Sequence, residues 1–196
     1  LFSLWCGMTA YQRERRCSFV KLNIRVLPVL AMLIAVSIIF TRTMAVMLPI
    51  AGAMTLRLSF GEIPIILAGI LFGPLAGFLT GVAADLLGYM INTFGAAYIP
   101  GLTLGAGLTG MLPGLLLRNV GKELTFWRVL GAIALTEVLV SICLNTFWLS
   151  LAFGVPMVAL LPARILARVL LIFIYTLVIH TVVNHSFVVS LRERQA

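Results

Sequence analysis

Acidic side chains are scarce in this chain. Six Asp and Glu stand in 196 residues, and all charged types together make up 10%. A soluble globular chain is about 25% charged and about 45–50% apolar. Here 62% of residues are hydrophobic and the mean hydropathy is +1.15. That balance excludes a water-soluble domain and indicates an integral membrane protein. A helix needs about 20 apolar residues to cross the hydrocarbon core, so the length allows about six crossings and leaves no soluble catalytic domain.

Signatures of catalysis and metal binding are also missing. Cys6, Cys17 and Cys143 are far apart and lack the C-x-x-C spacing of a metal site. His180 and His185 are too isolated to suggest one. There is no G-x-x-x-x-G-K-[ST] loop, which excludes nucleotide hydrolysis by that device, and no H-E-x-x-H or G-x-S-x-G. The chain is therefore not expected to be an enzyme or to hold a resident cofactor. Asp85 and Glu137 are the acids expected inside the membrane region. An intramembrane acid is a functional candidate by default. Structural hydrogen bonding is the competing reading for both, and the favoured one for Glu137.

Glycine, by contrast, is abundant where it is least expected. Gly69, Gly73, Gly77 and Gly81 recur at every fourth position of one apolar run, and Gly101, Gly105, Gly107, Gly110 and Gly114 crowd a second. In water each would weaken a helix by roughly 1 kcal/mol relative to Ala. In a membrane, small residues four apart let helix backbones approach closely. The stretch from Arg57 to Gly114 therefore reads as tightly packed short helices broken by turns.

Basic residues choose the topology. The run 63–91 is long for one span and short for two, and Phe72-Gly73-Pro74 interrupts it. Reading it as a hairpin gives six crossings with both termini inside. Arg13, Arg15, Arg16, Lys21, Arg25, Arg118, Lys122, Arg128, Arg192 and Arg194 are then all cytoplasmic, ten of the 14 basic residues. Reading it as one span puts the last five of these outside, against the positive-inside bias. The expected fold is thus an all-α integral membrane domain of six transmembrane helices, N-in/C-in, with short glycine-rich second and third helices. Its expected extent is 24–190, between a cytoplasmic tail at 1–23 and another at 191–196. The first span is expected at about Ile24–Leu48, a loop at 49–60, the fourth helix at about Leu102–Leu117, the fifth at about Val129–Leu151 and the sixth at about Leu160–Val189. Ser59-x-x-Glu62 fits a capping box at the start of the second helix. The +8 net charge is read as the positive-inside excess and not as a nucleic-acid footprint.

On this topology Arg57 and Arg164, with Arg42 and Arg168, gather at the outer ends of helices. Arginine offers a rigid fork for carboxylate or phosphate; headgroup contact or a pair with Glu62 is the plainer alternative. Tyr98, Thr103, Asn145 and Trp148 share that level. Asn145-Thr-Phe-Trp148 places an amide and a ring on one helix, suited to a flat heteroaromatic ligand, although aromatics at this depth also serve as interface anchors.

These residues carry a family resemblance. Arg57-Leu-Ser-Phe-Gly-Glu-Ile-Pro64, Gly69-Ile-Leu-Phe-Gly-Pro74-Leu-Ala-Gly77, Asp85-Leu-Leu-Gly88, Tyr98-Ile-Pro-Gly-Leu-Thr-Leu104 and Leu161-Pro-Ala-Arg-Ile165 resemble the substrate-binding S components of energy-coupling factor (ECF) vitamin transporters, and among them the folate-specific members. The likeness runs over about residues 22–190; Leu102 stands where that pattern has Phe. It implies a multi-pass protein of the bacterial plasma membrane. Its pocket would lie on the outer side under the loop after the first helix, and its partners would be a membrane coupling subunit and two ATPase subunits. It also implies that Ala31 and Ala35, on an Ala-x-x-x-Ala face, meet the coupling subunit. Folate has a flat pterin and a glutamate tail with two carboxylates. Arg57, Tyr98, Thr103, Asn145, Trp148 and Arg164 are accordingly expected to bind it. The alternatives are an S component for riboflavin or thiamin, and a membrane enzyme acting on a lipid through Asp85 or Glu137.

Overall fold

The computed structural model describes residues 26–43, 46–50, 53–58, 60–91, 98–118, 125–154 and 157–183. Both expected tails lie outside these residues. The chain folds as helix α1 (Leu27–Thr43), a hairpin of β1 (Val46–Ile50) and β2 (Ala53–Leu58), then α2 (Glu62–Phe72), α3 (Pro74–Ile91) and α4 (Pro100–Arg118). Next come α5 (Phe126–Thr136), a π-helical segment (Glu137–Leu144), α6 (Asn145–Phe153) and α7 (Met157–Val183).

Four helical segments are long and apolar enough to cross a membrane: Pro74–Ile91, Pro100–Leu117, Phe126–Ala152 and Arg164–Val183. Leu27–Thr43 and Glu62–Phe72 are apolar but shorter. Large apolar side chains point outward from the bundle, among them Met32, Met90, Leu166 and Leu177. In lipid such a surface is at no disadvantage, because the helices satisfy their own backbone groups.

The break in the 63–91 run falls at Gly73. Its φ of 98° and ψ of 168° are open to glycine alone among common residues, and its N–H donates back to the Gly69 carbonyl at 3.1 Å. Pro74 then opens α3, where its missing N–H is no loss. The two helices return against α4 with backbone on backbone. A side chain at Gly69 or Gly77 would strike the Gly110 carbonyl, and one at Gly81 that of Ala106.

Two expectations about the second helix need correction. Residues 49–60 are not a plain loop, because most of them belong to an antiparallel hairpin pairing Val46 with Leu58 and Met47 with Arg57. The all-α expectation is amended to that extent. The register slips between Leu48 and Ile50, around Pro49, which has no N–H to give the ladder. The capping box is absent as well. Gly61 stands at the N-cap without a side-chain bond, and Glu62 points its carboxylate at Arg168 instead. Ser59 lies outside the described residues.

The fifth helix is continuous from Phe126 to Phe153 but relaxes at mid-length into the π-helical segment, which nothing in the sequence announced. Gly154 ends it in the left-handed conformation, φ 65°, its N–H on the Ser150 carbonyl at 2.9 Å. The main core lies where α2, α5 and α7 meet, around Ile66, Val129, Ile133, Tyr175 and Ile179.

Candidate functional site

Helix α4 stands at the centre of the site residues and separates them into two groups. Gly101 and Gly105, one turn apart, present bare backbone to α6. The Trp148 indole lies against Gly101 and the Asn145 amide against Gly105, so close that any side chain at either glycine would collide with them. Asn145 Oδ1 is buried and meets no hydrogen-bond donor among the described residues. Such an acceptor is costly to leave unmatched, and native proteins rarely do so without a reason.

On the other side of α4, Thr103 donates to Asp85 Oδ2 on α3 at 2.6 Å. Its hydroxyl oxygen also stands 3.0 Å from that of Tyr98. The Tyr98 ring tilts against Tyr89 with centroids 5.2 Å apart. Arg42 comes down from α1 over Gly88, where a Cβ would lie 3.0 Å from its Nη2, and is near enough to Asp85 for their charges to attract. Asp85, for which the sequence offered no partner, thus has two. Glycine at 88 is what lets the guanidinium lie so close to α3.

Arg164 joins α7 to the long broken helix. Its Nη1 donates to Thr146 Oγ1 at 3.0 Å and to the Ser141 carbonyl at 3.3 Å. One turn further along α7, Arg168 Nη1 lies 2.9 Å from both oxygens of Glu62 and 2.9 Å from Glu137 Oε2. Glu137 is fully buried. This separates two arginines that look alike in the sequence. Arg168 is held by two carboxylates, and Arg164 donates to a hydroxyl and a backbone carbonyl. The pair considered for Glu62 forms with Arg168. Neither arginine stands at the very end of its helix, since α7 begins at Met157. The side chain of Arg57 lies outside the described residues; its backbone belongs to β2. Ala31 and Ala35 are exposed on one face of α1. Among the described residues no three His, Cys, Asp or Glu side chains come together as a metal site would require.

Residues 21–192 match the family described as ECF-type riboflavin transporter, S component. The chain belongs to this S-component family. Among curated relatives, the folate transporter FolT of Clostridium novyi (strain NT) is 34% identical over 158 residues, covering 81% of this chain and 87% of that protein. The folate transporter FolT of Leuconostoc mesenteroides subsp. mesenteroides is 30% identical over 131 residues, covering 67% and 66%. Among solved structures, the crystal structure of FolT bound with folic acid superposes with a TM-score of 0.72 at 32% identity, over 84% of this chain and 96% of that one.

Sequence reasoning about this S component raised a pair between Glu62 and one of its arginines but missed that Glu137 joins it at Arg168. A signal was available: two acids and a base interrupt three separate apolar runs, and lone charges there must meet one another. The sequence did not show which of Arg164 and Arg168 the acids would take.

Proposed function

We propose that this S component captures folate at the outer side of the bacterial plasma membrane for an ATP-driven ECF module. The observation that carries the reading is the buried, unmatched Asn145 oxygen beside the Trp148 ring on the glycine face of α4. That combination suits a flat heterocycle bearing N–H donors, which a pterin is. Arg164, on the neighbouring helix, suits a carboxylate of the glutamate tail, and Arg57 on the hairpin the second. Tyr98 and Thr103, tied to Asp85, complete the proposed set from the far side of α4. The FolT relatives and the folic-acid complex support the same ligand.

The proposed topology counts α1, α2, α3, α4, the long helix from Phe126 and α7 as six membrane segments, with both termini inside. The basic residues support it. The exposed Ala31–Ala35 face is the proposed contact for the membrane coupling subunit, and two ATPase subunits would supply the energy. The reading needs neither a resident cofactor nor catalysis by this chain.

Riboflavin is the second reading, favoured by the description of the matching family. Binding of labelled folate, riboflavin and thiamin to the purified protein separates them. Tight folate binding with quenching of tryptophan fluorescence is expected, and Asn145→Ala should weaken it about 10–100-fold, the worth of a hydrogen bond to a buried amide at about 1–3 kcal/mol. Riboflavin bound in preference to folate would sink the folate assignment.

A further inference from the structure

The long helix from Phe126 takes its π-helical form over Glu137–Leu144, directly before Asn145. Wide turns of this kind are rare and recur at functional sites. They also free backbone groups that a regular helix would pair, and in a buried place those groups need other partners.

At the exit of the segment one carbonyl is given up. In a regular α-helix the Ser141 carbonyl would accept from the Asn145 N–H. Here that N–H bonds to the Val140 carbonyl instead. The Thr146 hydroxyl turns back onto the Ser141 carbonyl at 3.3 Å, and Arg164 Nη1 reaches the same oxygen from α7, also at 3.3 Å. Arg164 Nη1 lies 3.0 Å from Thr146 Oγ1 as well. Ser141 and Thr146 are both buried, so the hydroxyl and the guanidinium stand in for the missing N–H.

At the entrance, Glu137 is fully buried and meets Arg168 Nη1 at 2.9 Å. A carboxylate taken out of water is costly and is offset only by close pairing, so Glu137 is bound to face α7. The segment is thus tied to α7 at both ends. The residues that follow face elsewhere: Asn145 lies against Gly105 and Trp148 against Gly101, both on α4. A regular helix would bring Trp148 round to the face of Glu137, about three turns earlier at 3.6 residues per turn. The wide segment takes up that difference. One helix can then give a carboxylate to α7 and an amide and an indole to α4.

We propose that Thr146 and Glu137 are positioning residues, which hold the π-helical segment at its two ends and thereby aim Asn145 and Trp148 at the ligand. The effect on binding rests on the ligand reading above; the effect on Trp148 does not. Thr146→Val removes the hydroxyl at nearly constant volume, and Thr146→Ser keeps it. Glu137→Gln leaves Arg168 matched by Glu62, and serves if Thr146→Val folds poorly. When Arg164 is replaced, Thr146 still serves the Ser141 carbonyl, so the hydroxyl is the group to test.

The variants are made in the full chain with Trp5 and Trp127 changed to Phe, which leaves Trp148 as the reporter, and are purified in detergent. Quenching of Trp148 by acrylamide is read without ligand, and folate affinity by titration. Thr146→Val and Glu137→Gln should each make Trp148 easier to quench and weaken folate about tenfold, the equivalent of about 1.4 kcal/mol. Thr146→Ser should restore both. In an Asn145→Ala background Thr146→Val should weaken folate much less, because the loss runs through Asn145. A loss of the same size in that background would overturn the positioning role, as would unchanged quenching and affinity in both variants, or a Thr146→Ser protein no better than Thr146→Val. If the unsubstituted protein binds no folate while Trp148 still responds to Thr146→Val and not to Thr146→Ser, the folate reading fails and the positioning of Trp148 stands.

Discussion

Arg164 and Arg168 stand one helical turn apart, and their neighbours give them different work. Arg168 meets Glu62 and Glu137, whereas Arg164 donates to the Thr146 hydroxyl and the Ser141 carbonyl. The proposed contact of Arg164 with a ligand carboxylate is testable at this scale. Arg164→Met should weaken folate binding about 10–100-fold, since hydrogen bonds to charged groups are worth about 1.5–3 kcal/mol. Binding of pteroate, which lacks the glutamate tail, should hardly change, and equal losses for both ligands in a titration would remove Arg164 from the site. The candidate residues were legible as types: an amide and an indole on one helix, arginines near its neighbours. Their partners were not. Asp85 read as isolated because Thr103 and Arg42 reach it from other helices, and side-chain direction is not written in spacing.

The π-helical segment decides which way those side chains face. In an unbroken α-helix Glu137 and Trp148, eleven positions apart, would lie about three turns apart on one face at 3.6 residues per turn. An i→i+5 segment turns less per residue, and the Asn145 N–H here bonds to the Val140 carbonyl. Glu137 consequently faces Arg168 on α7, while Asn145 and Trp148 face the glycines of α4. The glycine helices carry their own prediction. Nothing lies near a Cβ at Gly73, so Gly73→Ala costs backbone strain alone, about 1–3 kcal/mol. Gly77→Val drives a side chain into the Gly110 backbone and should do more damage. Thermal unfolding of the purified variants should rank them in that order; a Gly77→Val protein as stable as the parent would refute the close packing of α3 on α4.

For the whole molecule, the proposed orientation makes a separate prediction. In a background with Cys6, Cys17 and Cys143 replaced, Ala152→Cys should react with a membrane-impermeant maleimide in intact cells. Thr125→Cys should react only after the membrane is opened. The reverse pattern would invert the topology. That the chain is apolar enough for a membrane, and roughly where most of its helices lie, followed from the sequence alone, because hydropathy and glycine spacing are local and the solvent penalty on a polar backbone in lipid leaves few alternatives. The first helix, expected to run to Leu48, instead stops at Thr43 and gives way to β1. The break at Phe72-Gly73-Pro74 was equally local, since it depends on one residue's φ and the next one's ring. Only the tertiary structure decided that 49–60 forms much of a hairpin, that Glu62 abandons its helix cap for Arg168, and that the long helix unwinds at Glu137. Each of these turns on a charge or a hydrogen-bonding group held in low dielectric, where the cost of lacking a partner outweighs local preference and the partner lies a hundred or more residues away, as with Glu62 and Arg168, or on another helix.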